Sequence, residues 1–343
     1  MTAAPGPPTD MSPVVRLAPA KLNLTLAVTG RRADGYHELH SVMVPLALAD
    51  SLSVVPTIGP PDTLHVDGAD CGPAESNLVL RAVAEAREAA RRELGPTIPL
   101  PPLACRLEKR IPVAAGLAGG SSDGAAALDA ALEAWGADVS PEGRHAAATR
   151  VGSDVPFFLA AGWALVEGRG ERVARIPSVR PPAPAVLLVT PMTPVPTPEV
   201  FAAYADGARP LSRGSGLLAS RHLADELRAG MTARALLMRA GLLAHANDLM
   251  PAAQHVVPGL VAFRRGLIRV LGTAVGQSGS GPTAWVLYPS LDEAEAAADA
   301  VRDALADGRV VAPGQGSPVV HATRLLLDPS AGSAGTGEGG FTR

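Results

Sequence analysis

The chain of 343 residues is 47% hydrophobic and 18% charged, with a net charge of −3, which supplies enough apolar material for two ordinary domains. The acidic balance and the 3% aromatic content exclude a typical nucleic-acid binder, which carries a basic stripe and stacking platforms. No apolar run approaches the roughly 18 residues of a membrane span and MTAAPGPPTDMSP lacks the regions of a secretory signal, so a soluble cytoplasmic protein without a membrane partner is expected.

Residues 1–12 and the Gly/Ser tail 330–343 read as disordered, because neither buries enough apolar surface to offset ordering entropy. Val14–Leu17 and Leu22–Thr29 are predicted strands; the second sets Leu22, Leu24, Leu26 and Val28 on one face and Asn23, Thr25 and Ala27 on the other. Ser41–Val55 is β-rich but broken at Pro45, and Leu64–Val66 makes a short strand. Over Asn77–Leu94 the spacing predicts a helix with Leu78, Val79, Ala82, Val83 and Ala86 on its apolar face, stopped by Gly95 and Pro96. A strand over Leu103–Glu108 leads through a glycine-rich loop into a helix running through Ala125, Leu128, Leu132 and Trp135 to Gly136. Pro141–Val151 forms the next helix, with Ser140 as N-cap. GWALVEGRGE reads as a strand and turn, and the proline-rich stretch 177–184 marks the expected boundary between domains over 13–180 and 181–329.

The second half opens with a strand over Ala185–Thr190. Helices follow near Glu199–Ala205, Gly216–Leu227, Ala233–Ala244 and Val257–Leu271, then a second glycine-rich turn over 276–281. A strand (Ala284–Leu287), a helix (Leu291–Ala306) and a last strand (Val319–Leu326) complete an α+β pattern without internal repeats.

The segment Ile111–Leu128, IPVAAGLAGGSSDGAAAL, reads as a phosphate cradle. Gly116, Gly119 and Gly120 let a ligand approach the main chain, and their amides, with those of Ser121 and Ser122, would face an anion at the positive end of a helix. Neither the Gly-Lys-Ser/Thr loop nor the dinucleotide G-x-G-x-x-G spacing is present. The plain alternative is a flexible loop capped by Ser121.

Of 30 basic residues only Lys21 and Lys109 are lysine, which marks both as candidates for positions that need a compact ammonium. Alternation sends Lys21 and Asn23 to one strand face, and Tyr36 and His37 follow a turn at Asp34-Gly35. Asp154, between Gly152-Ser153 and the apolar Val155-Pro156-Phe157-Phe158, is either an acid at the edge of a core or a helix cap. Cys71 and Cys105 fit no disulfide or metal framework, and the eight histidines form no H-E-x-x-H pair.

AKLNLTLAVTGRRADGYHELHSV, IPVAAGLAGGSSDGAAAL, VGSDVPFFL, PVPTPEVF and GQSGSGPTAWV, in this order, closely resemble the GHMP kinase superfamily, and within it the family acting on 4-diphosphocytidyl-2-C-methyl-D-erythritol. The likeness runs from about Pro13 to Leu327. It implies a two-domain α+β fold, the N-terminal domain ribosomal protein S5 domain 2-like and the C-terminal domain ferredoxin-like, with the active site between them. It also implies ATP-dependent phosphorylation of the substrate's 2-hydroxyl in the non-mevalonate route to isoprenoid precursors.

Matched by position, Lys21 and Asp154 correspond to the family's catalytic pair. Pro112, Val113, Ala114, Ala115, Gly116, Leu117, Ala118, Gly119, Gly120, Ser121 and Ser122 correspond to its ATP loop, with Ser121 or Ser122 within reach of magnesium, and Asn77 to a position near adenine. Asn23, Tyr36, His37, Thr197, Pro198 and Phe201 correspond to the substrate site, Tyr36 and Phe201 sandwiching cytosine and His37 reading its polar edge. Lys109 receives no role. The chain departs from the family in carrying Ala114, Ala115 and Ala118 where glycine is common, and Gly124 where alanine is. Another GHMP small-molecule kinase, or a non-catalytic nucleotide-binding module on the same fold, is the alternative, and the oligomeric state is left open.

Overall fold

The computed structural model describes residues 12–59, 61–210 and 214–328; apart from Ser12, the expected disordered leader and tail lie outside these. Three antiparallel strands open the fold: β1 (Val14–Asn23), β2 (Ala27–Arg31) and β3 (His37–Pro56). β3 runs unbroken through Pro45, where a break was expected. A proline is tolerated in a sheet at a bulge, where its missing N–H costs no ladder bond, and Pro45 lies opposite the register shift between Pro19 and Lys21. The Lys21 N–H donates to the Leu117 carbonyl at 3.0 Å, which seats the glycine-rich loop beside that lysine.

The strand expected over Leu22–Thr29 is divided between β1 and β2. At Leu26 the chain pairs elsewhere: its N–H donates to Ala246 at 2.7 Å and its carbonyl accepts from the Asp248 N–H at 2.8 Å. Both faces of this segment are enclosed, since Lys21, Asn23 and Thr25 are as buried as Leu22 and Leu24. The solvated strand edge that polar side chains suggest is therefore excluded.

The larger sheet continues with β4 (Thr63–Asp67), β5 (Leu103–Glu108), β6 (Ala164–Gly168) and β7 (Arg172–Arg175), in the order β4-β5-β3-β6-β7, with β1 and β2 also paired to β3. Its helices are α1 (Leu78–Leu94), α2 (Gly119–Ala134), α3 (Pro141–Val151) and α4 (Val155–Leu159). α1 starts where Asn77 Oδ1 accepts the Val79 N–H and stops at Gly95. Its apolar face meets α2 over Ala18, Leu52, Val54, Leu103 and Leu107 of the sheet; each large aliphatic side chain so enclosed contributes about 1.5–3 kcal/mol. α2 is built almost wholly of small residues, so its neighbours come close: a Cβ on Gly124 would stand 3.3 Å from Val151 and 3.5 Å from Leu78.

The smaller sheet is antiparallel and comprises β8 (Ala185–Thr190), β9 (Gly276–Gln277), β10 (Ala284–Tyr288) and β11 (Val319–Arg324), in the order β11-β8-β10-β9. Around it lie α5 (Thr197–Ala205), α6 (Ser215–Arg228), α7 (Ala233–Met238), α8 (Ala240–Leu243), α9 (Met250–Val256), α10 (Gly259–Leu271) and α11 (Leu291–Ala306). The helix expected over Ala233–Ala244 is two short ones meeting at Arg239, and α9 is unforeseen, with its proline in the first turn where the missing N–H is harmless. β8 explains its own uninterrupted apolar run. Leu187 and Val189 pack with Leu260, Phe263 and Val301 on one face. Val186 and Leu188 pack with Ala20, Leu22 and Val44 on the other. The two sheets thus share a core, and the α+β class is as expected. Among the described residues no helix is long and apolar enough to cross a membrane.

Candidate active site

The cradle, the turn before α4 and the glycine turn before β10 line one cavity of about 1080 Å³. Lys21 enters it from the end of β1, with a side chain 5% exposed, and its Nζ lies 3.7 Å from Asp154 Oδ2. The ammonium donates to Asn23 Oδ1 at 2.6 Å, and Asn23 Nδ2 donates in turn to Ser41 Oγ at 2.8 Å, which fixes the orientation of the amide. Burial pushes the Lys21 pKa below the ordinary lysine range, against the pull of Asp154. Asp154 occupies the N-cap position of α4, yet its side chain caps nothing. Its carboxylate faces the lysine and not the helix, which excludes the reading of that residue as a side-chain cap.

The cradle places two alanines in the left-handed region, Ala114 at φ 55° and Ala118 at φ 54°. Ala118 immediately precedes α2. That conformation costs an L-residue about 1–2 kcal/mol, while glycine loses about 0.5–1 kcal/mol in unfolded-chain entropy. Ala118→Gly should therefore melt at or slightly above the wild-type temperature, whereas Ala118→Val should melt several degrees lower; thermal denaturation of the three proteins checks this.

The second glycine turn presses on the cradle. A Cβ on Gly116 would stand 2.3 Å from the Ser278 carbonyl oxygen, and one on Gly281 2.4 Å from the Gly116 nitrogen. Ser278 Oγ donates to the Gly116 carbonyl at 3.0 Å, and the Thr283 N–H donates to the Ala115 carbonyl at 3.4 Å. Asn247 Nδ2 holds the far side of the turn through the carbonyls of Gln277 (2.9 Å) and Gly279 (2.8 Å).

Of the residues singled out in the sequence, Lys21, Asn23, Tyr36, His37, Asn77, Pro112, Val113, Ala114, Ala115, Gly116, Ala118, Gly119, Gly120, Ser121, Asp154, Thr197, Pro198 and Phe201 all line this cavity. Leu117 and Ser122 do not: Leu117 packs into the shared core, and Ser122 is buried with its Oγ unpartnered. Asn77 has its Oδ1 committed to capping α1. Thr197 Oγ1 is bonded to Ser280 Oγ at 2.8 Å, linking α5 to the second turn.

The aromatic arrangement differs from the expected sandwich. Phe201 is stacked on His37, with centroids 5.0 Å apart and planes at 21°, while Tyr36 lies under the Arg169 guanidinium at 5.4 Å. Burial, with Arg31 and Arg209 nearby, pushes the His37 pKa below the usual histidine value, so the imidazole is neutral at pH 7. Arg31, Arg169, Ser280 and Gly281 also line the cavity without having been singled out. For Gly281 the signal was present in the glycine-rich turn; for the arginines there was none in a chain where arginine is the ordinary cation.

Lys109 acquires a setting. Its Nζ donates to Asp50 and, at 2.8 Å, to Asp123, with all three side chains at most 3% exposed. Both lysines of the chain are thus buried ammonium groups reaching the same cavity. Cys71 and Cys105 are free thiols, and no group of three or more His, Cys, Asp or Glu suited to a metal occurs among the described residues.

Residues 77–162 match the model of the GHMP kinases N terminal domain. The 4-diphosphocytidyl-2-C-methyl-D-erythritol kinase of Pelotomaculum thermopropionicum is 38% identical over 281 residues, covering 82% of this chain and 91% of that one. The enzyme of the same name from Rhodopseudomonas palustris is 37% identical over 293 residues, covering 83% and 91%. A crystal structure of 4-(cytidine 5'-diphospho)-2C-methyl-D-erythritol kinase aligns at a TM-score of 0.64 with 34% identity, over 91% of this chain and 99% of that one. A homoserine kinase from Cytophaga hutchinsonii aligns at 0.65 with 16% identity, over 94% and 98%, a likeness of fold alone.

Proposed function

The chain belongs to the 4-diphosphocytidyl-2-C-methyl-D-erythritol kinases, a family of GHMP kinases, and we propose that its cavity is where ATP phosphorylates the 2-hydroxyl of that cytidylyl alcohol. The observation that carries the reading is the approach of Lys21 Nζ to within 3.7 Å of Asp154 Oδ2 in the cavity lined by the cradle.

Asp154 takes the proton of the attacking hydroxyl, the freed oxygen bonds to the γ-phosphorus, and the bond to the bridging β-γ oxygen breaks to release ADP. Lys21, steadied by Asn23, lowers the hydroxyl pKa and offsets charge on the transferred group. The cradle amides and the positive end of α2 hold the phosphates. Of the two loop serines, Ser121 lines the cavity and would be the one to reach magnesium, which holds few protein ligands and keeps several waters. When bound, magnesium would neutralise phosphate charge. Cytosine stacks between Tyr36 and Phe201, His37 leaving Phe201 to offer its neutral imidazole to the base edge. Thr197 and Pro198 flank this subsite. Domain limits of 13–180 and 181–329 follow the change of sheet between β7 and β8, and a cytoplasmic location suits a kinase drawing on ATP.

The test is an ATP-consumption assay with purified chain. ADP and a phosphorylated cytidylyl alcohol should form together, with no turnover of homoserine or mevalonate; ATP consumed with those acceptors alone would favour another GHMP kinase, and no consumption at all a binding module. Lys21→Arg should cost about a hundredfold in kcat, because a planar guanidinium does not reproduce the position of a buried Nζ held 2.6 Å from Asn23 Oδ1 and 3.7 Å from Asp154 Oδ2. Undiminished turnover would make the retained lysine an accident.

A further inference from the structure

The buried cluster of Asp50, Lys109 and Asp123 is used nowhere in the reaction above. Asp50 lies in β3 and is fully buried; its Oδ1 accepts the Arg110 N–H at 2.5 Å and the Ile111 N–H at 2.9 Å, the two amides at the entrance to the cradle. Asp123 opens the second turn of α2, one residue after Ser122. The Lys109 ammonium joins the two, and it sits against the start of α2: a Cβ on Gly119 would stand 3.2 Å from its Nζ.

As packing, this arrangement is costly. Three ionisable groups lose their water, the two carboxyls outnumber the one ammonium beside a cavity for a polyanion, and an apolar set of similar volume is often at least as stable. Burial, with Asp50 adding to it and Lys109 opposing, lifts the Asp123 carboxyl to about 7, and Asp123 Oδ1 is left without a partner. A guanidinium, planar and wider, does not reproduce the point contact of one buried ammonium with both carboxylates, which accounts for the second lysine in an arginine-rich chain.

We propose that Lys109 is a positioning residue of the phosphate cradle: by tying Asp50 to Asp123 it holds residues 110–111 and the N-terminal end of α2 at the separation the nucleotide phosphates require. It thereby governs affinity for ATP and not for the acceptor. The inference takes only the identity of the ligand from the kinase reading, so binding is measured directly, by calorimetry with a non-hydrolysable ATP analogue.

The proteins compared are the wild type, Lys109→Arg, and the triple variant Asp50→Asn, Lys109→Met, Asp123→Asn. The triple variant removes the buried charges together and avoids the stranded carboxylates that a lone Lys109→Met would leave. Each variant that melts cooperatively should bind the analogue about tenfold or more weakly, with the KM of the acceptor within about twofold of wild type. Wild-type affinity in a cooperatively melting variant overturns the clamp, whereas no binding to the wild type overturns the nucleotide reading instead. A measurement that needs no variant is amide exchange on the wild type. The Arg110, Ile111 and Ser122 amides should gain protection together when the analogue binds, and protection confined to Ser122 overturns the coupling of the two ends.

Discussion

Asp154→Asn is expected to lower kcat about a thousandfold while leaving KM for ATP and for the cytidylyl alcohol within about threefold of wild type. The amide has nearly the same shape and still accepts a hydrogen bond, but it cannot take a proton. Stability should hardly change. Asp154 makes no capping bond to α4, so the loss of about 1 kcal/mol usual at an N-cap does not arise, and Lys21 keeps Asn23 Oδ1 at 2.6 Å as a partner. The variant is therefore a clean separation of chemistry from binding. Burial is the main influence lowering the Lys21 pKa and Asp154 opposes it, so in Asp154→Asn the ammonium loses its proton at a lower pH than in the wild type. Steady-state kinetics with each substrate varied in turn, together with a melting curve, make the test. Unchanged turnover would remove Asp154 from its role, and a collapse in affinity would make it a binding residue.

The parts of this site that were legible in sequence are the local ones. The cradle, with a strand before it and a small-residue helix after it, is continuous in the chain, and its spacing of glycines and serines carries a physical meaning without reference to anything distant. Helix α1 was readable for the same reason, since its apolar stripe and the Asn77 cap lie within a few residues of each other. What was not legible depends on contacts that only topology creates. Asp50 belongs to β3, Lys109 to the residue just past β5 and Asp123 to α2, and nothing at any one of those positions announces the other two. His37 meets Phe201 across the two halves of the chain, so the stacked pair could not be foreseen from composition. Pro45 misled because proline usually breaks a strand; it passes here since it sits at a bulge of β3, where the register against β1 shifts and its N–H is not needed. Asp154 was ambiguous because Asp before an apolar run fits a cap as well as an acid, and only the folded chain shows that it caps nothing and pairs with Lys21.

Gly281→Ala is expected to reduce kcat/KM for ATP about a hundredfold, because displacing a phosphate loop by about 1 Å is enough for a loss of that size. The added methyl would stand 2.4 Å from the Gly116 nitrogen, 2.5 Å from its Cα and 2.6 Å from the Ala115 carbonyl carbon. All three are backbone atoms of the cradle, so no side chain can swing aside. The turn and the cradle must part, which lengthens the Ser278–Gly116 and Thr283–Ala115 hydrogen bonds, at 3.0 and 3.4 Å the links between these two loops. Overpacking of this kind costs about 1–3 kcal/mol, so the melting temperature should fall by several degrees while the fold persists. Gly281 is not among the positive-φ glycines, so the penalty is steric and not conformational. Gly241→Ala is the matched control: no atom lies within 4 Å of its added Cβ and it too is outside the positive-φ set. That control should keep wild-type kinetics. If Gly281→Ala behaves like it, the second glycine turn is not what holds the cradle in register, and the site must owe its shape to the strand and helix on either side of the loop alone.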